Sequence, residues 1–141
     1  MSKIQKWGLV YAVMFALVVG LDFIPAFKDP DGYLFGIFAL DTYDNALHAF
    51  SGLWALTAAL ISTKQSIWYF KIFGSFYLLD GLVGLVLGNA FLDFGLFLYG
   101  IADYGLLFNF FANIPHILIG GVAVWVGFYL SKKSSHPSAS N

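Results

Sequence analysis

Two histidines stand at matching places in two stretches of the chain, DNALHAFSGLWALTAAL from Asp44 and ANIPHILIGGVAVWVG from Ala112. Each follows an asparagine by three residues and precedes a glycine by four. Imidazoles so placed have several uses. With Asp22, Asp41, Asp44 or Asp103 close by, His48 and His116 would make a nitrogen-and-oxygen site for a divalent metal. Facing each other, they would hold a haem axially. The structural alternative is that each imidazole is hydrogen-bonded to a neighbouring Asp or Asn, which fixes its tautomer.

Asp80 is the second candidate. It lies inside an apolar run, and a carboxylate at the middle of a bilayer costs about 2.5 to 3.5 kcal/mol on insertion scales, so it is neutralised, paired or functional there. It would relay protons or bind a cation. Otherwise it would hydrogen-bond, protonated, to Ser51, Thr57, Tyr77 or a backbone carbonyl. Hydrolytic chemistry has no support: Ser51 has no nucleophile-elbow or oxyanion signature, and no glycine loop of the phosphate-binding kind follows a strand. The Asp pairs 29/31 and 41/44 lack the Gly and Glu of a calcium loop. With no cysteine, thiolate sites and disulfides are excluded.

The elements that must position these groups are membrane helices. The chain has 141 residues, 60% hydrophobic and 11% charged, with a mean hydropathy of +0.78. Spanning a hydrocarbon core takes roughly 20 apolar residues as helix. Four windows qualify, at about Trp7–Phe27, Ala46–Thr63, Ile67–Leu92 and Ile114–Ser131. Backbone groups in lipid must bond internally, which favours helices, and the alternation of a barrel strand is absent. The expected fold is therefore an all-α membrane protein of four transmembrane helices, one domain over residues 1–131, followed by a polar tail at 132–141 that includes His136. The first apolar segment runs on into Asp22 and FIPAFKDPDG without a small-x-small cleavage site, unlike a signal peptide.

All seven basic residues are lysines and all eight acids are aspartates. Cytoplasmic termini place Lys3, Lys6, Lys64, Lys71, Lys132 and Lys133 inside and only Lys28 outside, as the positive-inside rule expects. The acids gather in the two outer connections. A net charge of −1 without a basic patch gives no expectation of nucleic-acid binding.

An offset of 68 residues aligns Asn45 with Asn113, His48 with His116, Gly52 with Gly120, Ala55 with Ala123 and Ala59 with Gly127, without a gap. Two hairpins, about 7–63 and 67–131, would thus be related as a parallel repeat. Within each, His and then small residues share one helix face. The second and fourth helices are expected to meet along the matching stripes Gly52, Ala55, Ala59 and Gly120, Ala123, Gly127, because small residues let backbones approach. The same reasoning offers the face carrying Gly8, Ala12 and Ala16 to a second protomer. Asn45 and Asn113 read as helix N-caps, with Pro115 in the first turn. GYLFGIFAL and FLDFGLFLYGIADYGLLFNFF are too apolar for open loops and read as interfacial, helical or re-entrant segments on the outer side. A fifth span at 91–112 is the alternative; it would put Lys132 and Lys133 outside, against the lysine bias.

The stretches GYLFGIF, DTYDNALHAFSG and NFFANIPHILIGG resemble the LFGLF, Asn and His-xxx-Gly signatures of small four-helix bacterial integral-membrane proteins in the domain-of-unknown-function family 4383. The likeness runs from about Trp7 to Gly127. It implies a multi-pass protein of a prokaryotic envelope and brings no activity, cofactor or catalytic residue with it. This chain has one His per motif where the family pattern suggests a second nearby.

Three functions follow as expectations. First is a non-enzymatic component of the cell membrane, structural, partner-binding or assembly-forming, stabilised by a polar cluster of Asp22, Asp41, Asp44, Asn45, His48, Asn113 and His116, with the bilayer and either a second copy or another membrane protein as partners. Second is a small proton or cation transporter using Asp80. Third is a redox module binding metal or haem through His48 and His116. No cofactor is required by the first two.

Overall fold

A computed structural model describes residues 1–135; residues 136–141 of the expected tail, His136 among them, lie outside the described residues. The first helix, α1 (Lys3–Asp22), starts where Ser2 and Gln5 exchange side-chain and backbone hydrogen bonds, satisfying two of the donors that a helix start leaves unpaired. The second, α2 (Thr42–Ile61), starts on Asp41. The Asp41 carboxylate accepts from the N–H groups of Tyr43 and Asp44, and the Asp44 side chain accepts from Asp41 N–H. Asn45 is therefore not the cap: an acid pair one turn earlier takes that place, and Asn45 turns inward instead.

Ser62 ends α2 and caps α3 (Thr63–Leu87), so the turn between them is as short as a helical turn allows. Gly88 closes α3 at φ +85°, a conformation that disfavours any other residue, and its α-carbon faces the Ala102 carbonyl closely enough to exclude a side chain. One short helix, α4 (Gly95–Tyr99), precedes α5 (Leu106–Val124). A π-helical turn (Trp125–Leu130) and α6 (Ser131–Ser135) then continue the same rod, so Lys132 and Lys133 are helical rather than part of a loose tail. Asn113 and Pro115 lie well inside α5, which begins at Leu106 after Gly105. Neither is at a helix start, contrary to expectation, because the apolar LLFNFF run preceding them is helical too.

Three of these rods are long and apolar enough to cross a membrane: Lys3–Asp22, Thr63–Leu87 and Leu106–Lys133. With 20 residues, α2 has the length, but Asp44, Asn45, His48 and Ser51 dilute its hydropathy. The stretch 91–112 is not a fifth span, since α4 has only five residues and 106–112 belongs to α5. The first connection, 23–41, contains a 3₁₀ turn at Pro25–Phe27 and bridges from Leu34 to Lys28 and Phe38, not a helix over GYLFGIFAL.

α1 packs antiparallel on α2, and α3 packs antiparallel on α5. The small-residue stripes lie in these two interfaces. Gly52 faces Ala12, Phe15 and Ala16, while Gly8 faces Ala55 and Ala59; Gly120 faces Leu78, Ala123 faces Gly74, and Gly127 faces Phe70 and Lys71. The expected seam between the second and fourth long helices is therefore not formed; on the face offered to a second protomer, Gly8 is buried and Ala12 half-buried against α2, while Ala16 stays exposed. Each stripe needs an equally close surface opposite it, and its sequential neighbour supplies one.

The centre is aromatic. Tyr69, Phe73 and Tyr77, four residues apart on α3, stack with ring centroids 4.9 and 4.7 Å apart. Tyr11 and Phe15 of α1 meet this column edge-on, and the Tyr11 hydroxyl donates to the Ile119 carbonyl of α5 at 2.6 Å. Large apolar residues such as Val13, Leu17, Phe50, Leu53, Leu60, Phe76, Val86 and Leu118 point outward. Such a girdle suits lipid as the surrounding solvent. The start of α1, the Ile61–Thr63 turn and α6 share one end of the bundle; the long connections share the other, the connection end.

Candidate functional site

His116 sits at the top of the aromatic column, its ring centroid 4.4 Å from that of Tyr77. Gly81 brings α3 against it: a methyl group at Gly81 would lie 2.9 Å from the His116 β-carbon. The ring is then held by Asp80, whose Oδ2 lies 2.9 Å from Nδ1. The other carboxylate oxygen accepts from the backbone N–H groups of Phe91 and Leu92, each at 2.8 Å. Asp80 is fully buried.

The expected partners of Asp80 were Ser51, Thr57, Tyr77 or a carbonyl, with the acid as donor. Instead it accepts from two backbone N–H groups of the second connection and pairs with the His116 ring. That segment leaves α3 at Gly88 and dips back two turns, roughly 10 Å at the helical rise. A carboxylate held in this way fixes the orientation of its histidine, with Nδ1 turned toward Asp80 and Nε2 away from it.

His48 approaches from α2. Its ring centroid lies 6.1 Å from that of His116, edge to face, and 5.7 Å from Phe15, against which it stacks. The side chain is buried and its Nδ1 makes no hydrogen bond. The two histidines do come together in the interior. The acids expected around them mostly do not. Asp22 is engaged by Lys28 at 2.9 Å and by the Asn45 amide at 2.8 Å; Asp41 is spent on the α2 cap; Asp103 is exposed and accepts from Gly105 N–H. Among the described residues, no three His, Cys, Asp or Glu side chains group as a metal ion would require.

Two cavities open beside His116. One, of about 240 Å³, has mixed walls, with Asp44, Asn89, Asp93, Tyr104, Asn113 and His116 beside Ile37, Phe38, Leu40 and Phe108. The other, of about 210 Å³, is apolar, bounded by Phe15, Val18, Leu34, Tyr77 and Ile119 as well as both histidines. Asn113, buried, donates its amide to the Asn109 carbonyl at 2.9 Å. Asn89 donates to the Gly100 carbonyl at 2.7 Å and so pins the far side of the connection. Asp44 and Asp93 both bound the first of these cavities.

Asp93, Asn89 and Tyr104 were not singled out from the sequence as site residues. Their signal was the turn chemistry of Gly88-Asn89 and Asp93-Phe94-Gly95, which the apolar bulk around them obscures. The family described as Domain of unknown function (DUF4383) matches residues 5–108. No curated protein and no solved structure matches the chain.

Proposed function

The chain belongs to the DUF4383 family, and from that premise we propose that it is a non-catalytic, four-span protein of the cell membrane whose outer half is a binding site. The spans form two hairpins related as a parallel repeat, α1–α2 and α3–α5, with both termini cytoplasmic. In support of a fourth span, α2 has 20 residues, about 30 Å of helix. It turns Asn45, His48 and Ser51 inward and Phe50, Leu53 and Leu60 outward. Supporting the orientation, the lysines at the terminal end outnumber Lys28 at the other. Exposed Phe23, Phe27, Tyr43, Phe94, Phe97, Tyr99 and Tyr104 fit an aromatic belt at headgroup depth on the connection end.

One observation carries the binding reading: His116, oriented by Asp80, forms a wall of both cavities. Convergent polar groups beside an apolar hollow are the usual form of a small-molecule site. Transport through Asp80 has less support, because that carboxylate is fully engaged and the column of Tyr77, Phe73 and Tyr69 fills the path below it. Native mass spectrometry of gently extracted protein tests the proposal. Wild type should retain a small-molecule mass that His116→Phe loses; a folded wild type carrying none refutes it. Proton or cation flux in vesicles, abolished by Asp80→Asn, would replace it with transport.

A further inference from the structure

The charges of the chain are sorted to opposite ends. None of the eight aspartates falls within 1–21, 45–79 or 104–141, whereas six of the seven lysines do: Lys3, Lys6, Lys64, Lys71, Lys132 and Lys133. Among the described residues the ion pairs are Lys28 with Asp22 and His116 with Asp80, so none of these six has a carboxylate partner. The end away from the connections is basic and not neutralised from within.

Lys71 differs from the other five in its depth. It stands eight residues beyond Thr63 on α3, roughly 12 Å along the helix at 1.5 Å per residue, inside a segment whose length and hydropathy suit a span. Gly127 of the π-helical turn packs on its backbone, where a methyl group would lie 2.8 Å from the Lys71 nitrogen, so no side chain separates the two rods there. The ammonium group lies 5.2 Å from the centre of the Phe128 ring. An aromatic face attracts a cation but brings no net charge to cancel an ammonium ion at the edge of hydrocarbon. A lysine at this depth keeps its stem in the apolar layer and its head toward the lipid phosphates.

Two further lysines share this seam. Lys64 precedes Lys71 by seven residues, hence on the same face of α3 two turns nearer the end, and Lys132 follows Phe128 by four, about one turn nearer the end on the other rod. Both are exposed. On the π-helical turn, exposed Trp125 and Tyr129 stack on each other, and Trp68 is exposed on α3; such rings favour the depth of lipid headgroups. A π turn is itself a form found often at functional sites.

We propose that the seam between α3 and the π-helical turn holds one anionic phospholipid, with its phosphate among Lys64, Lys71 and Lys132 and its acyl chains along the two rods. Basic pockets between membrane helices take such headgroups. A soluble anion has the charge without the chains, and an acidic protein segment would have to enter the bilayer to reach Lys71. This rests on the spanning of α3 and α5 and is independent of the cavities at the connection end.

The test places the full chain in nanodiscs of equal parts phosphatidylglycerol and phosphatidylcholine with identical acyl chains, and native mass spectrometry of the ejected protein identifies the lipid retained. Phosphatidylglycerol should be preferred at least about tenfold, since each lysine near an anionic surface supplies about fivefold. Lys71→Met should lower the preference by about that single factor, and Lys71→Arg should keep it. Lys6→Met removes the same charge from α1, outside the seam, and should cost less than about twofold because salt screens it. Equal losses in Lys6→Met and Lys71→Met would reduce the preference to diffuse attraction and overturn the site, as would equal retention of the two lipids. Glycerol phosphate in excess should displace none of the bound lipid; displacement would make the seam a soluble-anion site and overturn the lipid assignment. His116→Phe should leave the preference unchanged, so this result and the loss of a small molecule from the connection end are read separately. A chain that does not enter the discs at all removes the spanning reading and this site with it.

Discussion

The Asp80 carboxylate links two parts of the chain that share no helix: one oxygen lies 2.9 Å from His116 Nδ1 on α5, and the other accepts from Phe91 and Leu92 in the connection. Asp80→Ala would strand two backbone donors and leave the His116 Nδ1 without its partner. A loss of about 3 to 5 kcal/mol is expected, as when one partner of a buried polar pair is removed. Asp80→Asn keeps an acceptor oxygen for the connection and should lose less. Chemical unfolding in detergent, followed by circular dichroism, measures both. Equal losses would mean that the connection does not depend on the carboxylate.

Close approach of α3 to α5 makes a contrast between two glycines. Gly81→Ala drives a methyl group against His116 and Ile117, and overpacking of this kind costs about 1 to 3 kcal/mol. Gly121 has open space where a methyl group would go, so Gly121→Ala should fall within about 0.5 kcal/mol of neutral or better. Midpoints of thermal unfolding for the two variants check the pairing of α3 with α5; the reverse order would contradict it.

The start of α2 separates the observed cap from the one expected at Asn45. Asp41→Ala removes the acceptor for Tyr43 and Asp44 N–H and should cost about 1 kcal/mol with fraying of the first turn. Asn45→Ala leaves the cap intact and removes instead the amide donor to Asp22, which keeps its pairing with Lys28. Hydrogen exchange at Tyr43 and Asp44 should quicken only in Asp41→Ala.

Composition made the helical class and the apolar, span-length helices legible, because a chain this apolar would have no other way to satisfy its backbone in lipid. The spacing of His48 and His116 was legible too, as was their inward direction, since small residues below each on the same face marked the packed side. Helix starts were less so. Asn45 and Asn113 have good capping side chains, but what decides a start is how far the helix extends beyond them, and apolar residues upstream of Asn113 propagate it by seven residues.

What the sequence by itself determined is local and periodic: which segments are helical and apolar, which face of each is small, and that two imidazoles sit at corresponding positions. What only the tertiary structure decided is which surfaces those faces meet and which groups share a hydrogen. The stripes on α2 and α5 are equally suited to each other and to α1 and α3, and nothing in their spacing chooses between those partners. Asp80 found its donors in a backbone 11 and 12 residues further on. Backbone N–H groups carry no signature in a sequence, so their partnership with Asp80 becomes visible only once the connection has folded back into the bundle.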